Sequence, residues 1–284
     1  MLYKKNGLCM NYVETGNGPP VHFAHANGFP PGTYENLFKK LSGGYRVLGL
    51  NFCLQSPCSR NCPHGKTVSG TWFQFAEELI AFLDTVGEGP CTGVGHSMGG
   101  VVTAIASVRR PDLFRKLILL DPVFLEPRLI RIARIGIALG LGRRNPLAVR
   151  AEKRKNGWPS REDALNFFKD KKLFGGWEEQ ALRSYVNNGL TDIGDGVELV
   201  CRPEAEAAVF RSYPTNIWKI ISTITVPCVV ARGGLSDVIT DRSWAHLAEV
   251  RPDILRVEIP GLGHLFPMQD SGITAGFIME HAGI

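Results

Sequence analysis

The stretch Val94-Gly95-His96-Ser97-Met98-Gly99-Gly100 reads VGHSMGG, with a short apolar run from Cys91 before it and a small-residue helical pattern, 101–106, after it. A serine at a sharp strand-to-helix turn is forced into a strained backbone conformation. Strand and helix then pass so close that the residues two before and two after it must be small, the G-x-S-x-G nucleophile elbow. Gly95 and Gly99 meet that need. The turn lifts the Ser97 hydroxyl clear of the backbone and aims the first helical N–H groups at whatever lies beside it, which makes the Met98 N–H an oxyanion donor. A serine without a base is a weak nucleophile, so the rest of the chain has to supply one.

His264 is the leading base. It sits in Ile259-Pro260-Gly261-Leu262-Gly263-His264, a glycine-rich loop after the last strand-like run, which can project it. The other histidines fit less well: His96 adjoins the serine and should point away, His22 lies in a strand, His25 in a loop and His246 within a helix. The base in turn needs a carboxylate to fix its tautomer and stabilise the imidazolium. Asp237, in Gly233-Gly234-Leu235-Ser236-Asp237 after a strand, is favoured because the order Ser97, Asp237, His264 follows the usual order for this elbow. Asp121, ending the strand 117–120, is the alternative acid and is expected to order the following loop.

Outward from these residues, apolar or β-branched runs alternate with helical patterns. Strands are expected at Leu8–Glu14, Val21–Ala26, Tyr45–Asn51, Cys91–Gly95, Lys116–Asp121, Pro227–Arg232 and Ile254–Ile259. Several are apolar on consecutive residues, as strands buried on both faces should be. Helices are expected at Tyr34–Leu41, Thr71–Val86, Met98–Arg109, Asp241–Val250 and near Ile273–Ala282. This alternation predicts an α/β fold, a mostly parallel central sheet with helices on both faces. It lapses for about a hundred residues. The expected organisation is therefore a core of residues 1–122 and 225–284 with a helical cap or lid inserted at 123–224.

The chain's 284 residues, 44% hydrophobic and 21% charged, suffice for one large core with an insertion. The N-terminal Met1–Asn6 has no apolar stretch behind its lysines, and a cytoplasmic location is expected. Seven cysteines, an odd number, argue against a complete disulfide framework. Cys53, Cys58 and Cys62, with His64 nearby, match no metal-ligand spacing and read as loop thiols; no metal or other cofactor is expected. A net charge of +5 gives no reason to expect nucleic acid as a partner. The charge is uneven, however: from Arg128 to Arg161 there are ten Lys or Arg and one acid, Glu152, before the Glu162-Asp163 pair. Arg128, Arg131 and Arg134 recur among Leu129, Ile130, Ile132, Ile135 and Leu139, an amphipathic helix with a basic face. It reads as a cap helix packing its apolar side over a pocket, or as a lid touching an anionic membrane surface. Trp158, Phe167, Phe168, Phe174, Trp177 and Trp218 are candidates to line an apolar acyl pocket.

With the elbow, the Asp237 and His264 loops and the segment FAHANGFPPGTY (Phe23–Tyr34), the chain resembles the α/β-hydrolase fold superfamily in its cap-bearing serine hydrolase branch, esterase- and lipase-like members included. The resemblance implies that the loop after the strand His22–Ala26 supplies a second oxyanion N–H. If Asn27-Gly28-Phe29-Pro30 aligns with the family's HGFP form, the donor is Phe29. If His25-Ala26-Asn27 is the aligned triplet, it is Asn27. Family members often carry R-G-x-G-x-S after the next strand, where this chain reads Asn51-Phe52-Cys53-Leu54-Gln55-Ser56. The resemblance implies hydrolysis of an ester-like acyl bond of a small molecule with an apolar acyl group, through an acyl-enzyme. Thioesterase, lactonase and carbon–carbon bond hydrolase are alternatives on the same triad, and a small-molecule receptor on this fold is a non-catalytic one.

Overall fold

A computed structural model of the chain describes residues 2–5, 8–52, 71–86, 89–139 and 145–283. The cysteine cluster at 53, 58 and 62 lies outside the described residues. The main sheet has eight strands: β1 (Leu2–Lys5), β2 (Leu8–Thr15), β3 (Pro20–Ala24), β4 (Arg46–Leu50), β5 (Cys91–His96), β6 (Phe114–Leu120), then β10 (Cys228–Gly233) and β11 (Leu255–Ile259). Their order is β1-β2-β4-β3-β5-β6-β10-β11. Pairing is antiparallel at β1/β2 and β2/β4 and parallel from β4 to β11. β5 is buried at every position and β3 and β6 at nearly all. These strands carry helices on both faces, which is why they read as continuous apolar runs rather than as alternations.

Helices α1 (Glu35–Leu41), α2 (Trp72–Val86) and α3 (Met98–Arg109) follow β3, β4 and β5. After β10 come α10 (Asp241–Val250), α11 (Phe266–Gln269) and α12 (Ser271–Ala282). One apolar cluster joins α2 and α3 to the sheet, through Phe75, Phe82 and Val101 among others. A second joins α1 and α12 to it and extends into the segment between β6 and β10 through Phe168, Phe174 and Tyr185.

Between β6 and β10 the described chain forms α4 (Pro127–Ala138), α5 (Pro146–Glu152), β7 (Gly157–Trp158), α6 (Arg161–Lys169), α7 (Glu179–Gly189), β8 (Leu190–Ile193), β9 (Gly196–Leu199), α8 (Pro203–Arg211) and α9 (Ile217–Ser222). The sequence predicts only helices here. The structure adds a small antiparallel sheet of order β7-β9-β8. Strands of two to four residues carry no readable period. The α4 helix also departs from expectation. Ile130 is its one buried residue, while Ile132, Ile135 and Ile137 are 64%, 61% and 52% exposed, so its apolar side is not packed. Among the described residues no helix is long and apolar enough to cross a membrane.

Candidate active site

The loops that follow β3, β5, β6, β10 and β11 converge at the carboxyl ends of parallel strands, where open α/β sheets form their sites. Ser97 joins β5 to α3 with φ 56° and ψ −117°, a positive φ in a residue with a Cβ. The tertiary fit forces that strain. A Cβ on Gly95 would lie 2.4 Å from the Gly99 carbonyl oxygen, and one on Gly99 would lie 2.1 Å from that of Ala24. Only glycine at both positions lets the helix start directly against the strand and the loop after β3.

His264 lies in the loop after β11. Its Nε2 is 2.9 Å from Ser97 Oγ, and its Nδ1 is 3.0 Å from Oδ1 of Asp121. Both bonds form in the tautomer that carries the proton on Nδ1: Nδ1–H donates to the carboxylate and Nε2 accepts from the serine hydroxyl. Asp121 is fully buried, directly after β6, at φ 41°. Its Oδ2 accepts from the Gly233 N–H at 2.7 Å, and its Oδ1 also accepts from the Ser236 hydroxyl at 2.7 Å.

The carboxylate beside His264 is therefore that of Asp121, not the expected Asp237, whose side chain is exposed. β6 lies immediately beside β5, so a residue ending β6 stands next to the elbow, while in the β10 loop it is Ser236 that turns inward and Asp237 that faces solvent. The β10 loop meets the site through Gly233 and Ser236, which hold the Asp121 carboxylate. Ser236 went unread because its one signal is its place beside Asp237.

The loop after β3 carries both residues read as the second oxyanion donor. The Phe29 N–H donates to the Ala26 carbonyl at 3.2 Å, and Gly28 at φ 80° closes the turn. Both residues of the pair read from sequence, Phe29 and Asn27, lie in this turn. The Asn27 side-chain amide donates to the Glu206 carbonyl at 3.2 Å and ties the loop to α8.

The buried histidines brace these loops. His96 is fully buried. Its Nε2–H donates to the His264 main-chain carbonyl at 2.9 Å, so its Nδ1 must accept, at 2.8 Å, from the Tyr34 hydroxyl. That hydroxyl in turn accepts from the Ala26 N–H at 3.2 Å. One chain of bonds thus joins the β3 loop, the elbow and the His264 loop. Burial lowers the His96 pKa to about 3, and the neighbouring His264 pushes it the same way. His25 donates from Nδ1 to the Ala26 carbonyl at 2.8 Å and accepts at Nε2 from the Phe52 N–H at 3.3 Å; burial lowers its pKa to about 4.

Of the aromatic residues read from the insert, Trp177 and Phe174 pack on Phe29, with ring centroids 5.5 and 6.4 Å away. Trp218 lies elsewhere, against His246 and Phe124.

The sequence profile of the alpha/beta hydrolase family matches residues 23–275, and the chain belongs to that family. It is a hydrolase built on an α/β core. The 2-(acetamidomethylene)succinate hydrolase of Mesorhizobium japonicum is 21% identical over 270 residues, 90% of this chain and 85% of that protein. A crystal structure of E-2-(acetamidomethylene)succinate hydrolase matches with a TM-score of 0.79 at 19% identity, covering 96% of this chain and 94% of that one. A thioesterase domain from the curacin biosynthetic pathway matches at 0.74 with 16% identity and 98% coverage of both chains.

Proposed function

We propose that the chain is a serine hydrolase that cleaves an ester-like acyl bond, with Ser97 as nucleophile, His264 as base and Asp121 as the acid that orients it. The observation that carries this is the unbroken bond series from Ser97 Oγ through both His264 nitrogens to Asp121. Ser97 Oγ attacks the acyl carbon while its proton passes to His264 Nε2. The main-chain N–H of Met98 and one from the loop after β3, that of Phe29 or Asn27, receive the oxyanion. The imidazolium, held by Asp121, returns the proton to the leaving group, and water repeats the sequence on the acyl-enzyme. The segment 123–224 acts as the cap: Trp177 and Phe174 rest on the loop after β3 and shape its outer wall.

The relatives' names, a 2-(acetamidomethylene)succinate hydrolase and a thioesterase domain, put acetamido-bearing and thioester substrates within reach of the same machinery. The test is hydrolysis of p-nitrophenyl esters over a series of acyl lengths, with Ser97→Ala and His264→Ala alongside. Each variant is expected to lose activity by on the order of a thousandfold or more. An inert wild type that is folded and takes no stoichiometric fluorophosphonate label on Ser97 overturns the reading and favours a receptor role. Labelling without ester turnover moves the search to thioesters, lactones and carbon–carbon bonds.

A cytoplasmic placement accords with the free thiols of Cys91, Cys201 and Cys228. Contact with an anionic surface through α4 is supported by its exposed isoleucines beside Arg128, Arg131 and Arg134.

A further inference from the structure

The insert holds a cleft of about 960 Å³, formed by the α5 region, the end of α6 and the turn after it, and α8. Phe167, Phe168, Phe174 and Phe210 supply its apolar wall. Leu147 and Leu173, at its lips, are 56% and 54% exposed. Around this wall stand Arg150, Lys153, Arg154, Lys155, Lys171 and Lys172, against one carboxylate, Glu206.

Those six cations come from 32 Lys and Arg, and that carboxylate from 27 Asp and Glu, so the remaining chain carries 26 of each. The whole formal excess of +5 thus belongs to this cleft. Arg154 is paired with Glu206 and donates to the Tyr185 hydroxyl at 3.1 Å. Among the described residues the other five have no carboxylate within 4.0 Å. The ammonium groups of Lys155 and Lys171 lie over the Phe167 ring, 5.2 and 4.3 Å from its centroid, so both charges stand on the aromatic wall itself. A solvated helix face would scatter such charges. Here two separate segments, 150–155 and 171–172, bring them to one aromatic hollow.

We propose that this cleft binds an amphipathic anion, an acyl chain bearing a phosphate head. The apolar wall takes the chain, and unpaired cations from both segments take a head carrying more than one negative charge. The site also adjoins the loop after β3, since a Cβ on Gly28 would lie 3.5 Å from the Glu206 carboxylate and 3.7 Å from the Arg154 guanidinium. Binding here does not depend on Ser97 being a nucleophile.

The test is calorimetric titration of the full chain with dodecyl phosphate, below its critical micelle concentration, beside dodecyl maltoside and inorganic phosphate. Dodecyl phosphate is expected to bind one to one and the two controls far more weakly. Lys153→Glu with Lys171→Glu, both at exposed positions, should weaken dodecyl phosphate by about tenfold or more, because repulsion replaces attraction. On the wild type alone, raising NaCl from about 0.05 to 0.5 M should weaken it several-fold as the lysine and arginine charges are screened. Equal affinity in wild type and variant, indifference to salt, or equal binding of dodecyl maltoside overturns the proposal. Ser97→Ala then separates the sources. Tighter binding of lysophosphatidic acid assigns a lipid, tighter binding of dodecanoyl-CoA assigns a soluble thioester, and failure of both overturns the proposal.

Discussion

At the scale of single residues, the two aspartates make opposite forecasts. Asp121 is buried and bonded to His264, Gly233 and Ser236, whereas Asp237 is exposed. Asp121→Asn keeps the shape but can present an N–H where the His264 Nδ1–H needs an acceptor. The imidazole then favours the wrong tautomer, and kcat on p-nitrophenyl esters is expected to fall by on the order of 10³–10⁴. Asp237→Asn should stay within about twofold of wild type, as an exposed side chain outside the bond series does. Comparable losses in both variants would sink the assignment. The meeting of Ser97 and His264 was legible because each sits in a local pattern, an elbow and a glycine-rich loop, whose constraint lies within a few residues. The carboxylate that meets His264 was not, because two aspartates follow neighbouring strands, and the choice between them rests on which side chain turns inward, a fact no local stretch encodes.

The elements show the same division. β3, β5, β6 and β10 were readable, since burial on both faces forces runs of apolar residues, and the strands found differ from the expected ones by a few residues at their ends. The short strands of the insert were not, because their register comes from pairing rather than from propensity. The register of the β3 loop was equally hidden: its geometry depends on Tyr34, eight residues past Ala26, reaching back to that N–H while also holding His96. Tyr34→Phe removes a hydroxyl that serves both, leaving a buried N–H and a buried imidazole nitrogen unpaired. The loss is expected to be about 1–3 kcal/mol of stability, read from urea midpoints at constant m. Because the same bonds join the β3 loop to the His264 loop, kcat should fall as well, in protein whose circular dichroism is native. An unchanged midpoint would mean the network holds nothing in place.

Over the whole molecule, three buried histidines couple folding to acid. His22, His25 and His96 are fully buried, and burial is the largest cause lowering their pKa values to about 3, 4 and 3. The unfolded chain protonates each near pH 6.5, while the folded chain keeps them neutral until the pH nears those lowered values. Between about pH 6.5 and 4 the unfolded state therefore binds more protons, and stability rises with pH across that window. It is fully present above about 6.5 and is lost as the pH falls. Each histidine contributes a slope of up to about 1.4 kcal/mol per pH unit. His22 separates this effect from catalysis. Among the described residues neither of its ring nitrogens has a hydrogen-bond partner, and it packs against Phe82 at 6.0 Å, away from the Ser97 bond series. His22→Leu removes an unpaired polar ring and one proton-binding difference. The variant is expected to be at least as stable as wild type at pH 7 and to lose less melting temperature between pH 6.5 and 5, a range chosen above the ordinary carboxylate titrations. Parallel curves for the two proteins would show that His22 is protonated in the fold and that burial alone does not keep it neutral.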